Sequence, residues 1–390
     1  MKYTWQHPNW PNYIYDESQS QNTQYQYALE AGRLSGGLGQ LSNSEQYDAY
    51  IDLMVSEAIN TSKIEGEKLD REEVRSSIKN FLGLSNPAKR VLDPRAEGVG
   101  ALMVDVRKTF KEPLTKDRLF HWHKLLLPDQ DNQYLLRNIQ VGQWRNAKEP
   151  MQIVSGPIGY EIVHYEAPPS HKVDEEMDRY LAWYNETSPL NSRTNNTLSG
   201  PARSAIAHLW FETIHPFDDG NGRIGRAIAE QALAQDLGRP SLLSLSTTIE
   251  KDKKAYYDNL NKASQTDLNI TPWVNWFTET ILKSQKAAIL NIEFVLNKAK
   301  FWEVHHESEL NKRQIKVIRK VFEVGPEGFA HGINSRKYMS MTSCSKATAN
   351  RDLSALVEEG CLYQIEGAGR SSRYALKLDS LDAPIFSKKE

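Results

Sequence analysis

The chain has 390 residues, enough for two or three domains and a sizeable core. It is 39% hydrophobic and 25% charged, with a formal net charge of −2, the balance of a soluble globular protein with no global attraction to nucleic acid. No apolar run approaches the ~18 residues of a transmembrane helix. The opening MKYTWQHPNWPNYIYD lacks an apolar signal-peptide core. Two cysteines, Cys344 and Cys361, without paired metal-ligand spacing point to a reduced, cytoplasmic protein.

Residues 1 to about 45 are aromatic and polar. Trp5, Trp10, Tyr13 and Tyr15 sit among prolines, and a Gln- and Tyr-rich run follows to Tyr27. The X-Pro pairs predict an extended arm packed on the main domain. From Glu45 to Ile64 apolar residues recur at helical spacing, and the stretch closes on Thr61-Ser62-Lys63-Ile64-Glu65-Gly66. Thr61 and Glu65 share a face one turn apart, and Gly66 suits a C-cap. Taken alone, Glu65 is a solvated charge at a helix end. Asp70 and Glu73 predict a capping box for the next helix. Residues 86–97 read as a loop with Pro87 and Pro94. Helical pattern returns over 102–110 and 116–127, the latter with Thr115 as N-cap. His121 and His123 are spaced i, i+2 and point to different faces, so they are structural or solvent-facing rather than a metal pair.

Residues 152–166 read as two β-prone runs around Gly156-Pro157, a hairpin. Val173 to Tyr184 reads as a helix and 186–200 as a polar loop. Glu250 to Ala263 reads as one helix carrying Tyr256 and Tyr257. Thr271 to Phe301 is a long helical stretch that joins a separate module. Residues 311–378 carry twelve Lys/Arg against six Asp/Glu. Their order is three helices and then two strands around Gly367-Ala368-Gly369-Arg370, the pattern of a winged helix-turn-helix. Ser345, Lys346, Thr348, Asn350 and Arg351 would face a major groove, with Arg370 and Arg373 on the wing. Glu358 and Glu359 oppose phosphates, so protein docking stays open beside DNA contact.

The densest stretch is His215-Pro216-Phe217-Asp218-Asp219-Gly220-Asn221-Gly222-Arg223-Ile224-Gly225-Arg226. Helical patterns over 201–214 and 223–237 make it a helix-loop-helix, with the glycines at the start of the second helix. Two arginines in a first turn oppose the macrodipole, at about 0.3–1 kcal/mol each. Arg223 and Arg226, i, i+3, share a face. A bound anion resolves the conflict, held by the arginines and by backbone N–H groups of Gly220, Asn221 and Gly222. Asp219 suits a divalent cation bridging phosphate oxygens, and His215 suits proton abstraction from a nucleophile. The literal G-x-G-x-x-G lacks the preceding strand that a dinucleotide-binding unit needs. The set reads as phosphoryl or nucleotidyl transfer.

This stretch resembles the signature of Fic-domain proteins, His-x-Phe-x-Asp/Glu-Gly-Asn-Gly-Arg-x-x-Arg, with every specified position filled. The resemblance implies transfer of AMP from ATP to a Ser, Thr or Tyr hydroxyl of a protein target, this chain itself included. His215 would be the base and Asp219 the Mg²⁺ ligand. Gly220, Asn221 (with its side chain), Gly222, Arg223 and Arg226 would cradle the phosphates. Thr61-x-x-x-Glu65-Gly66 resembles the family's inhibitory motif, whose Glu pairs with the second arginine, here Arg226, and prevents productive seating of the ATP γ-phosphate. The 152–166 hairpin would be the flap, with Val163, His164, Tyr165 and Glu166 beside ATP. Tyr257 matches the adenine and ribose pocket. Ser264 stands where many members have Asn. A homodimer is a further family expectation.

The expected fold is mainly α: a Fic-type helical core with a β-hairpin flap plus a C-terminal winged helix-turn-helix. It divides into an N-terminal arm and inhibitory helix (1–100), the catalytic core (101–300) and the winged helix (301–390). The same residues leave open AMP removal, with Glu65 positioning water, and transfer of UMP or another group. A DNA-binding regulator with a nucleotide-sensing core is the alternative outside enzymology.

Overall fold

The structure, a computed structural model, describes residues 2–127, 139–155, 160, 162–191, 198–265, 267–324, 329, 332–366 and 372–378. Two compact units emerge. One holds the described residues up to Gly32 together with Tyr50–Ala288; the other holds Arg33–Ala49 and the described residues from Ile289 onward. Among the described residues no helix is long and apolar enough to cross a membrane. Cys344 and Cys361 are free thiols.

The first unit is built on two antiparallel-connected helices, α7 (Gly200–Ile214) and α8 (Asn221–Leu237). Every residue of α7 is buried, and so is nearly all of α8. Phe211, Ile214, Ile224 and Ile228 are fully enclosed, each worth about 1.5–3 kcal/mol against exposure. Gly225 sits at the contact of the two helices. A Cβ there would lie 2.6 Å from Glu212 Oε1 and 3.0 Å from His208 Nδ1. This third glycine of the motif serves helix packing, not phosphate approach.

Helices α2 (Asn43–Ile64), α3 (Arg71–Phe81), α4 (Pro94–Lys108), α5 (Lys116–Leu126) and α6 (Val173–Glu186) surround that pair. Three local expectations change. Asp70 caps α3 through the N–H groups of Glu72 and Glu73, but the Glu73 carboxylate accepts from the Asp93 N–H at 2.8 Å. The capping box is therefore half made. The expected 86–97 loop ends early, because Asp93 caps and Pro94 opens α4, a position that needs no N–H. The single helix expected over 250–263 is two, α9 (Leu245–Lys251) and α10 (Lys253–Ala263), parted at Asp252, whose carboxylate caps α10.

The N-terminal arm packs on this unit as expected, but it is not extended throughout. Residues 21–38 form helix α1 (Gln21–Leu38). Tyr27 and Ala31, spaced i, i+4, are buried. Trp10 is buried, donates to Glu176 Oε2 at 2.8 Å and meets Trp210 edge-on. Thr4 N–H donates to the Ser264 carbonyl at 2.9 Å. Strands β1 (Gln152–Ser155) and β2 (Ile162–Glu166) pair antiparallel, with a register shift between Ile153 and Val154. The Gly156-Pro157 turn lies outside the described residues.

Helix α11 (Thr271–Val304) begins in the first unit and ends in the second. The second unit continues with α12 (Lys312–Val324), α13 (Ser335–Thr342), α14 (Lys346–Glu358), β3 (Leu362–Glu366) and β4 (Arg373–Leu376), the last two antiparallel. This is the expected order of three helices and a strand pair. Its core joins Phe301, Val317, Ile318, Tyr338, Leu353 and Leu362. Buried Asp352 on α14 accepts from Arg313 Nε at 2.8 Å and from the Tyr338 hydroxyl at 2.9 Å, tying the three helices together. Ser345, Lys346, Asn350 and Arg351 are exposed and Thr348 and Arg373 half-buried. Arg370 lies outside the described residues.

Candidate active site

Helix α7 ends on His215, whose φ of 51° and ψ of 61° are left-handed. A non-glycine residue in that conformation costs on the order of 1 kcal/mol or more and persists only where neighbours enforce it. Arg145, buried in the segment before β1, contacts this turn. Its Nε donates to the His215 carbonyl at 2.7 Å and its Nη2 to the Ile214 carbonyl at 3.2 Å. Its backbone N–H donates to the Pro216 carbonyl at 2.9 Å. The cation thus caps the open carbonyls of a helix C-terminus.

The loop past His215 is held from inside. Phe217 is fully buried and stacks on His123 at 4.1 Å. The Asn221 amide bridges the loop, accepting from Phe217 N–H at 3.0 Å and donating to Phe217 O at 2.8 Å. That side chain, expected to cradle phosphates, shapes the loop instead. His123, read as structural or solvent-facing, is structural. The Gly142 N–H donates to its Nδ1 at 2.8 Å, so Nε2 carries the hydrogen directed at the Asp219 carbonyl, 3.1 Å away. Burial pushes His123 down to about 4, and it stays neutral. His121 is exposed.

Gly220 takes φ 80° at the N-cap of α8. The helix starts at Asn221, so Arg223 lies in its first turn but Arg226 in its second. Both guanidinium groups are buried. Arg226 Nη2 donates to Glu65 Oε1 at 2.7 Å and to the Thr61 carbonyl at 3.0 Å, and Nε donates to Thr61 Oγ1 at 2.8 Å. Burial raises the Glu65 carboxyl, but the charge and hydrogen bond of Arg226 outweigh it and leave the acid below its usual range. Burial likewise opposes the Arg226 charge, and Glu65 more than restores it. Gly222 gives the room: a Cβ there would lie 2.2 Å from Glu65 Oε1.

Glu65 reaches Arg226 because α2 ends in a Schellman turn. Gly66, at φ 88°, donates to the Lys63 carbonyl at 3.0 Å, and Glu67 N–H reaches the Ser62 carbonyl at 2.9 Å. The same turn brings Glu67 Oε1 to 2.9 Å from Arg223 Nη1. Asp219 Oδ1 lies 3.7 Å from Arg223 Nη2. Among the described residues Arg223 Nε and Arg226 Nη1 find no hydrogen-bond partner.

His215 is enclosed. Burial first, and the Arg145 charge second, lower its imidazole to about 4. Its Nδ1 lies 3.7 Å from Glu212 Oε2. Glu212, one turn back on α7, is buried, and desolvation pushes it up to about 8. An imidazole that is neutral near pH 7 can accept a proton.

Of the flap residues, Tyr165 points inward, its hydroxyl donating to the Thr213 carbonyl at 2.6 Å. It roots the hairpin beneath the loop, and so it is not aimed at a nucleotide. Val163, His164 and Glu166 are half-buried; the His164 carbonyl accepts from Gln265 Nε2 and that of Glu166 from Trp5 Nε1. Tyr256 is core, its hydroxyl 2.8 Å from His208 Nε2. Tyr257 is 36% exposed and its hydroxyl lies 3.5 Å from the Ile64 carbonyl, beside Glu65. Ser264 holds the N-terminal arm through its carbonyl, and its hydroxyl returns to the Leu260 carbonyl. Its side chain is buried in fold contacts.

Sequence reasoning passed over Arg145, Glu212 and Glu67. Glu212 had a usable signal, a carboxylate one turn before His215 on the same helical face. Arg145 and Glu67 had none in the local pattern.

Residues 113–233 match the Fic/DOC family, and residues 3–84 match a domain of unknown function, DUF4172. A uridine 5'-monophosphate transferase of Xanthomonas campestris pv. campestris (strain 8004) is 31% identical over 122 residues, 31% of this chain and 21% of that protein. The protein adenylyltransferase fic-1 of Caenorhabditis elegans is 31% identical over 117 residues, 30% of this chain and 20% of that protein. The chain thus spans about a fifth of the length of these relatives. A Fic domain containing signaling protein from Bacteroides thetaiotaomicron superposes with a TM-score of 0.50 at 19% identity, over 68% of this chain and 95% of that one. Around the helix pair that carries His215 and the two arginines, the chain has a domain of the Fic/DOC family.

Proposed function

We propose that this chain is a protein adenylyltransferase that moves AMP from ATP to a Ser, Thr or Tyr hydroxyl of a protein, and that Glu65 holds it at low basal activity. The observation that carries the reading is the placement of Glu65 on Arg226, 2.7 Å apart, at the start of the helix that follows His215. A carboxylate there stands in for a phosphate. The names of relatives in both nucleotidyl branches support the reaction class.

In this reading His215 takes the proton of the incoming hydroxyl. The oxygen bonds to the α-phosphorus as the bond to the β-phosphate oxygen breaks, and pyrophosphate leaves. Arg223 and Arg226 neutralise the charge that moves onto it, in a buried site where such stabilisation is strong. The N–H groups at the start of α8 add the helix dipole. Asp219, half exposed, would be the residue to hold a Mg²⁺ ion. Among the described residues no group of three or more His, Cys, Asp or Glu side chains could hold a metal by itself, at Asp219 or elsewhere. When bound, the ion screens phosphate charge.

The test is mass spectrometry of the Glu65→Gly protein, incubated with ATP, then UTP, with and without host lysate. An AMP adduct on the chain or on a lysate protein, lost in the additional His215→Ala variant while ATP binding persists, is the expected result. A UMP adduct alone moves the reading to uridylyl transfer. No adduct from either nucleotide sinks it.

A further inference from the structure

We propose that Arg145 is a positioning residue for His215: its guanidinium fixes the backbone of the base and couples it to the foot of the hairpin. The inference rests on the reading of His215 as the base.

The geometry carries it. Besides the Ile214 and His215 carbonyls, the guanidinium donates to the Pro168 carbonyl and, from Nη1, to Ser170 Oγ at 3.0 Å. Pro168 and Ser170 lie two and four residues past the end of β2. One side chain therefore binds two segments, the end of α7 and the exit of the hairpin. Its own backbone N–H binds a third point, Pro216. Arg145 is 2% exposed, so all these bonds are made away from water. A left-handed histidine does not hold itself; the carbonyls of Ile214 and His215 point where they do because a planar, five-donor fork receives them. Lysine keeps the charge but offers a point donor on a flexible stem, and reaches fewer of these acceptors at once.

The groups facing His215 are Glu212 from α7, Glu65 from the turn after α2, Asp219 from the loop and Arg145 itself. Arg145 alone among them binds the His215 main chain in the contacts described above. Positioning errors act on the chemical step more than on nucleotide binding.

The experiment uses the full chain with Glu65→Gly, alone and with Arg145→Lys or Arg145→Met. Thermal melting, the Kd for ATP, the kcat and KM for AMP incorporation and the crystal structure of the Lys variant are measured. The expected result is a Kd within about twofold and a kcat loss of about tenfold to a hundredfold in the Met variant. The Lys variant is expected to recover part of that loss, with His215 displaced from its left-handed conformation. An unchanged kcat in either folded variant overturns the proposal, as does a crystal structure with His215 unmoved. General loss of fold in both variants also overturns it, because the role would then be structural alone. If the parent transfers no nucleotide, the enzymatic reading fails, and the crystal structure still decides whether Arg145 places His215.

Discussion

Glu67 Oε1 lies 2.9 Å from Arg223 Nη1, two residues past the carboxylate that holds Arg226 at 2.7 Å. Both arginines at the start of α8 are therefore neutralised by the turn that ends α2. The Arg223 side chain is 3% exposed, so the ion pair is not a surface contact screened by solvent. Glu67→Gln removes the charge but keeps the shape. ATP phosphates then meet Arg223 without a rival anion. The expected outcome is tighter ATP binding by roughly 1 kcal/mol, about fivefold, added to the gain from Glu65→Gly. Calorimetric titration of ATP into the two single variants and the double variant checks it. An unchanged affinity in Glu67→Gln shows the pair to be structural only.

Gly222 and Glu65 are coupled through space. A methyl group at position 222 would come within 2.2 Å of Glu65 Oε1. Gly222→Ala alone should lower the melting temperature, because the carboxylate must leave Arg226 or the helix start must shift. In the Glu65→Gly background that clash is gone, and the same substitution should cost less. A coupling of about 0.5–3 kcal/mol in a double-mutant cycle of denaturant unfolding is expected. Additive effects would mean that Glu65 already leaves the pocket freely in solution.

What was legible before folding was what depends on contiguous residues. His215 to Arg226 holds its chemistry in one loop, and Gly66 is the residue type that a left-handed helix end accepts without strain. The contacts of Arg145 and His123 were not legible, since their partners lie far along the chain, at the end of α7, past β2 and beside Asp219. Glu67 depends on how the Schellman turn swings the chain past Gly66. Tyr256 and Tyr257 are neighbours in sequence but point about 100° apart on a helix; only the position of α7 decides that Tyr256 is core. The run after Ser20 misled because its aromatic, polar composition outweighed its spacing, although Gln, Ala, Leu and Glu favour a helix.

Glu212 should make stability depend on pH. Its folded value is about 8 against an ordinary 4.5, because burial disfavours the ionised form. A raised value means that the folded state keeps a proton the unfolded chain has lost. That contribution is fully present below about pH 4.5 and is lost as pH rises through 8, at up to about 1.4 kcal/mol per pH unit. Glu212→Gln replaces the neutral acid with a neutral amide and should flatten the curve between pH 5 and 8. Parallel unfolding free energies for parent and variant across that range would show Glu212 ionised in the fold.

The two adjacent tyrosines should separate stability from binding. Tyr256→Phe removes the only hydrogen bond described for His208 Nε2, a nitrogen buried within the α7 packing. Leaving such a group unsatisfied costs about 1–3 kcal/mol, so the melting temperature should fall. Desolvation already lowers His208 to about 3, so the ring stays neutral and gains nothing by taking a proton near pH 7. Tyr257→Phe keeps the ring and loses a weak 3.5 Å contact at the surface, so stability should hold. Tyr257→Ala removes the ring beside Glu65 and should weaken ATP binding severalfold in the Glu65→Gly background with little loss of fold. If the two positions exchange these effects, with Tyr257 governing melting and Tyr256 governing nucleotide affinity, the ring beside Glu65 has been assigned to the wrong role.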